Sequence, residues 1–503
     1  MDLSLFLEGF ANSLTLTNLG FGLLGAILGT MVGILPGIGP ALAIALLFPV
    51  TYGLEPQSAL IMFCAIYYGA MFGGSTTSIL LNTPGESGSV MTAIEGNRMA
   101  KTGKAGAALA TAAIGSFVAG SIGTGILAFA APAIADLGLR MTPPDFFALM
   151  ILAFVTVSSL LGKSISRGLL SLTLGVVIGM VGTDPNSGAP RLSFDLPEAM
   201  EGFQTVIVIV SLFAVAEALY IALSGRLEAG KVNKLIGSAR MTKAEWGRSW
   251  KPWLRGTAVG FPLGVLPAGG SEIPTFLSYT WEKRLSKNKG EFGKGAIEGV
   301  AGPEAANNAN ASGALVPLLA LGIPTSGTAA VMLAAFDQFR INAGPMLFVD
   351  EPLLVWTLVA SLFIANFLLL IINLPLIKMW IQILRVPGPY LFAGILVFAM
   401  IGAYSIKYST FDLLVAIGIG VLGVALRRFG YPITPLIIGA ILGPMAEIQF
   451  RRSMQLSQGD TSILLSTPFT WATYTLMIIA LAWPWIWKFL KPLIVVKEKT
   501  RRK

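Results

Sequence analysis

The segment GAILGTMVGILPGIGP occupies residues 25–40 and lies within a charge-free stretch from residue 9 to residue 54, 46 positions in all. A membrane-spanning helix needs about 20 apolar residues, so this stretch is long enough for two crossings, or for one crossing and a broken helix. Glycine recurs every fourth residue and then gives way to Leu-Pro-Gly-x-Gly-Pro. Proline removes a backbone donor and glycine permits unusual dihedral angles. The segment therefore predicts a membrane helix that breaks.

The composition extends this prediction to the whole chain of 503 residues. Hydrophobic types make up 54% and charged types 12%, whereas soluble domains carry about 25% charged residues. Further long apolar runs predict an all-α polytopic membrane protein with roughly 11 to 14 membrane segments, several of them too short to cross fully. The chain has no histidine and a single cysteine, Cys64, which excludes histidine metal sites, Ser-His or Cys-His catalytic pairs and an intrachain disulfide.

The sequence pattern of the opening segment recurs in the second half of the chain. The matched residues at a constant offset of 231 are Gly25, Gly29, Gly33, Leu35, Pro36 and Gly39 with Gly256, Gly260, Gly264, Leu266, Pro267 and Gly270. A second sequence similarity relates residues 83–91 to residues 323–332, with a one-residue shift in the alignment. Internal repeats of this kind are common in secondary transporters. We predict a first repeat half over residues 1–223 and a second over residues 256–450.

The distribution of charged residues predicts on which side of the membrane the remaining segments lie. The basic linker 224–255 and the basic tail 491–503 are predicted to be cytoplasmic, because Lys and Arg favour that side. The N-terminus carries Asp2 and Glu8 without a basic residue. With the N-terminus outside, each repeat half makes an odd number of crossings, so the repeats are inverted. Residues 451–490 then form an extra terminal span.

Glycine and proline break the apolar runs in four places, which form two repeat-related pairs. Broken helices are tolerated at membrane depth where they are packed in protein or line a wet cavity, and a half-helix N-terminus holds an anion through free N–H groups. The alternative reading is a set of turns between helical hairpins. The predicted helix-break residues are Pro36, Gly37, Gly39, Pro267, Gly269, Gly270 and Ser271. The predicted substrate-binding residues are Asn82, Thr83, Pro84, Gly85, Ser87, Gly88, Gly322, Pro324, Thr325, Ser326, Gly327 and Thr328.

Polar residues accompany these breaks. Ionisable residues within membrane segments are functional candidates, and carboxylate, amide and backbone oxygens are ligands that suit Na⁺, while a proton can use the same carboxylates. The candidates for the coupling ion or a polar cluster are Glu272, Glu304, Asn307, Asn308, Asn310, Ser75 and Thr76, with Glu86 in the first loop. Interhelical hydrogen bonding is the alternative role for the asparagines. Arg427-Arg428 and Arg451-Arg452 are interpreted as interfacial anchors rather than substrate ligands, and Asp184 as part of a surface turn.

Taken together, these motifs resemble the TctA family, the large membrane subunit of tripartite tricarboxylate transporters. The resemblance covers nearly the whole chain. It rests on the Gly29–Pro40 break, on Tyr68–Ser75 running into Asn82–Glu86, on Gly302-Pro303-Glu304 followed by Asn307-Asn308, and on Gly322-Ile323-Pro324. Each motif is weak alone, but their order and spacing are specific.

The resemblance implies a bacterial inner-membrane permease that works with a small TctB-like membrane subunit and a periplasmic TctC-like solute-binding protein. The implied substrates are citrate and other carboxylates, and uptake is driven by an ion gradient, with Na⁺ favoured over H⁺ and no other cofactor. No Gly-x4-Gly-Lys-Ser/Thr motif is present, which agrees with a drive other than ATP. An elevator-like motion of one repeat-derived bundle is an expectation by analogy of fold.

Four rival functions remain to be weighed. One is a stand-alone ion-coupled carboxylate carrier that needs no binding protein, and another is a channel. A third is a membrane enzyme that uses Ser312, which the absence of histidine disfavours. The fourth is a structural membrane protein, against which the polar broken helices argue.

Overall fold

The structure of the protein is a computed structural model. It describes residues 3–35, 38–51, 53–160, 164–184, 187–224, 239–267, 270–383, 386–479 and 481–482. Across this part of the chain the secondary structure is helical apart from one short hairpin. In that hairpin, β1 (Gly182–Thr183) pairs antiparallel with β2 (Pro190–Arg191), and Gly182 lies opposite Arg191. The all-α class predicted from composition is confirmed.

The helices are α1 (Leu3–Ser13), α2 (Leu16–Ile34), α3 (Pro40–Thr51), α4 (Pro56–Leu81), α5 (Val90–Lys101), α6 (Ala105–Gly138), α7 (Pro143–Leu160), α8 (Ile165–Gly179), α9 (Pro197–Met200), α10 (Thr205–Val210), α11 (Ala216–Ser224), α12 (Lys243–Val265), α13 (Glu272–Leu285), α14 (Glu298–Leu321), α15 (Gly327–Gln338), α16 (Leu347–Asp350), α17 (Pro352–Asn373), α18 (Ile377–Ile383), α19 (Gly388–Ser405), α20 (Thr410–Arg428) and α21 (Ile433–Leu456). A π turn, Ser211–Val215, joins α10 to α11, and 3₁₀ turns occur at Ser87–Ser89, Lys289–Glu291 and Thr461–Leu465. Residues 468–479 are also helical.

Within the described residues, eight helical stretches are long and apolar enough to cross a membrane. They are α2, α4, α6, the stretch Thr205–Leu223, α17, α19, α20 and α21. Two shorter apolar helices lie at Pro143–Ser158 and Ile165–Gly179. The chain is therefore a multi-pass membrane protein. The sequence-based number of 11 to 14 membrane segments also counts short apolar runs such as these two helices, and it stays a prediction.

Helices α2 and α4 pack backbone to backbone through the repeated glycines of α2. A Cβ placed on Gly25 would lie 2.4 Å from the carbonyl oxygen of Met62, and one on Gly33 would lie 2.3 Å from that of Ala70. Gly29 meets the carbonyl of Ile66 in the same way, at 2.5 Å. Small residues at four-residue spacing permit this close approach between membrane helices. Every residue of α4 from Ser58 to Leu80 is buried.

Helices α12 and α14 repeat this contact. The glycines at 256, 260 and 264 of α12 would place a Cβ 2.2, 2.2 and 2.3 Å from the carbonyl oxygens of Gly302, Ala306 and Asn310. Each of these carbonyls lies 240 residues after its counterpart in α4. Helix α14 is buried from Glu298 to Ala320. The same packing thus occurs twice, and the glycines that form it are those matched between the two halves of the sequence.

Each tight pair ends where the chain breaks. Helix α2 ends at Ile34 and α12 at Val265, and the next residue of each, Leu35 or Leu266, has extended dihedrals. The predicted first-half and second-half boundaries are not tested by these contacts. Much of the linker 224–255, at residues 225–238, and the whole tail 491–503 lie outside the described residues.

The glycine contacts generate a prediction about stability. Gly29→Ala and Gly260→Ala should each lower the free energy of unfolding by about 1–3 kcal/mol, because the added methyl group meets a fixed backbone carbonyl. The measurement is thermal unfolding of the purified protein in detergent.

Each variant has a matched control in its own helix. Gly20 in α2 and Gly247 in α12 have open space where a Cβ would be added. Gly20→Ala and Gly247→Ala should leave stability unchanged or slightly raised, because alanine favours a helix over glycine. Equal melting temperatures for all four variants would contradict the packing account.

Candidate functional site

The four chain breaks meet around one cavity of about 400 Å³. It is lined by Gly39, Pro40, Ala41, Tyr67, Met71, Pro84, Gly85, Glu86, Ser87, Val90, Phe213, Gly270, Ser271, Glu272, Asn310, Ser326, Gly327, Thr328 and Thr434. All four breaks contribute to this lining. The four motifs thus lie together in the structure, a convergence that the sequence alone did not show.

Four helical segments begin at the cavity wall. Pro40, Glu272 and Gly327 are the first residues of α3, α13 and α15, and Ser87 opens the 3₁₀ turn that leads into α5. The first N–H groups of a helix have no partner within the helix, and the helix dipole makes this end electropositive. Several such ends around one cavity favour a negatively charged ligand.

The loops after α4 and α14 adopt closely similar conformations. Asn82 and Gly322 follow these helices in the left-handed region, with φ of 58° and 68°. Four residues later Glu86 (φ −140°, ψ 167°) and Ser326 (φ −148°, ψ 168°) precede the next helical turn as extended N-caps. Ser326 Oγ accepts a hydrogen bond from the Ala329 N–H at 3.1 Å. In the first loop, a carboxylate stands where the second loop has a hydroxyl.

Glu86 joins the first loop to α14. Asn307 Nδ2 donates to Glu86 Oε1 at 2.6 Å, and both side chains are buried. Within the described part of the chain, Glu86 has no lysine or arginine partner. A buried carboxylate without a positive partner is energetically costly unless it is protonated or meets a cation.

The amide oxygen of Asn307, Oδ1, is available for a ligand. Asn307 Oδ1 is buried and has no hydrogen-bond partner among the described residues. It lies beside Gly88, where an added Cβ would be 2.1 Å from this oxygen and 2.0 Å from Ser271 Oγ. The loop that contains Gly88, the start of α13 and the middle of α14 therefore bring two polar oxygens to the same glycine, close to Glu86.

A second buried carboxylate, Glu304, lies on α14 about one helical turn before Asn307. It accepts hydrogen bonds from Thr92 Oγ1 at 3.0 Å and from Ser116 Oγ at 3.2 Å. Asn308 Nδ2 donates to Ser116 Oγ at 2.7 Å and approaches Glu304 Oε1 at 3.4 Å. Neither Glu304 nor Asn308 belongs to the cavity lining. The asparagine cluster is thus divided, with Asn310 at the cavity, Asn307 behind it and Asn308 paired with Glu304.

The remaining predicted residues have varied positions. Asn82 and Thr83 are exposed and lie outside the cavity lining, as do Gly88, Pro267, Gly322, Pro324, Ser75 and Thr76. Thr325 Oγ1 donates to the Gly264 carbonyl at 2.9 Å and so ties the second loop to α12. Ser75 Oγ donates to the Phe72 carbonyl of its own helix. Pro36, Gly37 and Gly269 lie outside the described residues.

Sequence reasoning missed several lining residues. Tyr67 and Met71 lie on α4, where nothing in an apolar helix distinguishes the face towards a cavity. Phe213 belongs to the π turn Ser211–Val215, and such turns occur often at functional sites, but no sequence signal locates them. Thr434 lies in the first turn of α21, two residues after Pro432. The Tyr-Pro-Ile-Thr-Pro segment at residues 431–435 is a further proline signal that could have located it.

Comparison with known proteins agrees with the resemblance seen in the motifs. The family model described as "Tripartite tricarboxylate transporter TctA family" matches residues 19–438. A protein of Agrobacterium vitis named "Uncharacterized 52.8 kDa protein in TAR-I ttuC' 3'region" is 44% identical over 460 residues, which is 92% of this chain and 91% of that protein. A second, named "Uncharacterized protein in TAR-II ttuC' 3'region", is 47% identical over 209 residues, 42% of this chain and 86% of that protein. No solved structure matches the chain.

The matched region contains all four breaks and the whole described cavity. It also contains in full six of the eight described stretches that are apolar enough to span a membrane. The family is one of transporters rather than enzymes. The chain belongs to the TctA family, the membrane subunits of tripartite tricarboxylate transporters.

Proposed function

We propose that this chain is the large permease subunit of a binding-protein-dependent secondary transporter that imports citrate-like tricarboxylates or other carboxylates. The observation that carries the proposal is the convergence of four helical N-termini on one cavity. The substrate's carboxylate groups accept hydrogen bonds from backbone N–H groups there, as anions commonly do at helix N-termini. Ser87, Thr328 and Thr434 add hydroxyl donors.

The charge balance of the cavity supports ion coupling. Its described lining contains Glu86 and Glu272 but neither lysine nor arginine. An anionic substrate near two carboxylates is repelled unless positive charge enters with it. We place the coupling cation at Glu86, Asn307 Oδ1 and Ser271 Oγ, which offer the oxygen ligands that suit Na⁺. Glu304, with Asn308, is a second carboxylate that a proton or a cation can neutralise.

The recurring contacts support a repeated architecture. We propose that α2 to α5 and α12 to α15 are the cores of two inverted repeats, because the glycine packing, the left-handed ends and the extended N-caps all recur in order. Inverted repeats with discontinuous helices at their interface are a common plan for secondary transporters. An elevator-like movement of this cavity-bearing unit gives alternating access.

Family membership supports the partners and the location. A tripartite system contains other subunits, and the two relatives are named for regions next to ttuC'. We propose a small TctB-like membrane subunit, a periplasmic TctC-like binding protein and a bacterial inner-membrane location. A stand-alone carrier or channel is the alternative, and reconstitution distinguishes it from the tripartite system.

The first test is radiolabelled citrate uptake into proteoliposomes that contain this chain and its small-subunit partner. We expect uptake only when an inward Na⁺ gradient and the purified binding protein are both present. Uptake that persists without the binding protein would support a stand-alone carrier. Uptake without saturation or a gradient would support a channel. Failure with citrate and with a panel of other carboxylates, under both Na⁺ and H⁺ gradients, would contradict the proposal.

A substitution in the cavity tests the anion site. Thr328→Val should raise the KM for carboxylate uptake about tenfold, because a hydrogen bond to a charged group contributes about 1.5–3 kcal/mol. Thr83→Val is the matched control, since Thr83 is exposed in the first loop and lies outside the lining. Equal KM values for the two variants would count against substrate binding at this wall.

A second pair of substitutions tests the cation site. Glu86→Gln and Asn307→Ala should each raise the Na⁺ concentration for half-maximal uptake by about tenfold or more, because each removes one oxygen ligand or its charge. Asn373→Ala is the control, because Asn373 is also a buried membrane asparagine but bonds to Leu369 and Thr30. Unchanged Na⁺ dependence in Glu86→Gln and Asn307→Ala would show that the cation binds elsewhere.

A further inference from the structure

A second cavity, of about 240 Å³, adjoins the one at the four helix breaks. The two cavities have Gly39, Ala41 and Phe213 in common in their walls. The second cavity is also lined by Glu217 of α11 and Arg427 of α20. The second cavity thus shares part of its wall with the proposed carboxylate site and is also lined by a charged pair.

Arg427 is held at this wall by two contacts. Its Nη1 forms an ion pair with Glu217 Oε2, and its guanidinium lies 4.6 Å from the centre of the Tyr220 ring. The side chain of Arg427 is 40% exposed and that of Glu217 is 12% exposed. Arg427, interpreted from the sequence as an interfacial anchor together with Arg428, thus contacts Glu217 and lines a cavity. Arg428 is exposed and is not in that lining.

The chemistry of the pair matches the proposed substrate. Glu217 presents to Arg427 the same carboxylate group that a carboxylate substrate carries. Guanidinium groups bind carboxylates through directed, charge-assisted hydrogen bonds. The first cavity has no described lysine or arginine in its lining, and among the described lining residues of the second cavity Arg427 is the cationic one.

We propose that the second cavity is a transit site for the carboxylate substrate, at which a substrate carboxylate displaces Glu217 from Arg427 before or after it occupies the first cavity. This inference rests on the proposed function. Glu217 keeps Arg427 neutralised when substrate is absent, which lets the arginine stay at a partly buried wall. Exchange of one carboxylate for another makes the passage selective for anions, and the substrate does not bind tightly to the arginine.

The exchange predicts opposite effects from its two partners. Arg427→Gln should raise the KM for citrate uptake about tenfold while kcat changes less than about twofold, because charge at an entry site affects encounter and binding more than the later steps. Glu217→Gln should lower KM, by about threefold or more, because it removes the internal competitor. Arg427→Lys should retain part of the effect, since lysine keeps the charge but loses the planar geometry.

Two further variants keep the test decisive. Arg428→Gln is the matched control from the same helix end, and its KM should equal that of the unmodified protein. The double variant Glu217→Gln with Arg427→Gln removes the pair together, so it folds without an unpaired buried charge and should still show the raised KM. All uptake measurements are repeated at high salt, where the difference between Arg427→Gln and the unmodified protein should shrink.

The outcomes separate this inference from the proposed function. If the unmodified protein takes up citrate and Arg427→Gln behaves as Arg428→Gln does, the transit site is wrong and the proposed function stands. A fall in kcat at unchanged KM in the double variant would likewise make the pair merely structural and overturn the inference. If the unmodified protein takes up no carboxylate under any gradient, the proposed function fails and the inference fails with it.

Discussion

Backbone contact between two pairs of helices is the constraint on which the rest of the structure depends. Glycines of α2 and α12 let these helices lie directly on the carbonyl groups of α4 and α14. Because α4 and α14 are buried along almost their whole lengths, the ends of both pairs are fixed within the protein. The loops that follow have little freedom, and each starts a new helix at the same cavity. Glycine spacing thus determines where the free N–H groups lie.

The polar residues of α14 show how the same constraint separates charges. On a helix, residues three or four apart lie on the same face. Glu304 and Asn308, four residues apart, both contact Ser116, whereas Asn307 contacts Glu86 and Asn310 lines the cavity. One short polar segment serves two environments. A buried carboxylate in each of them explains why so many amide and hydroxyl groups occur at the centre of an apolar protein.

The sequence predicted the local features of the site better than their arrangement. Glycine and proline act within a few residues, so the breaks after α2, α4, α12 and α14 were identified from the sequence and are present where they are described. Convergence depends on tertiary packing, which is why Tyr67, Phe213 and Thr434 were missed. The position of Glu304 behind Thr92 and Ser116 was also hidden, because the helical pattern alone does not say which neighbour faces which side. The contact between Arg427 and Glu217 was hidden for a related reason, since the two residues are distant in sequence.

The central claim is that carboxylates occupy the cavity where the helical N-termini meet. It is tested most directly by site-specific thiol labelling. Cys64 is the single cysteine and is buried, so Ser87→Cys, and separately Thr83→Cys, are prepared in a Cys64→Ser background. The account predicts that citrate slows modification of the cysteine at 87, in the cavity lining, and not of the one at 83. Equal labelling rates at position 87 with and without citrate, at concentrations that saturate uptake, would contradict it.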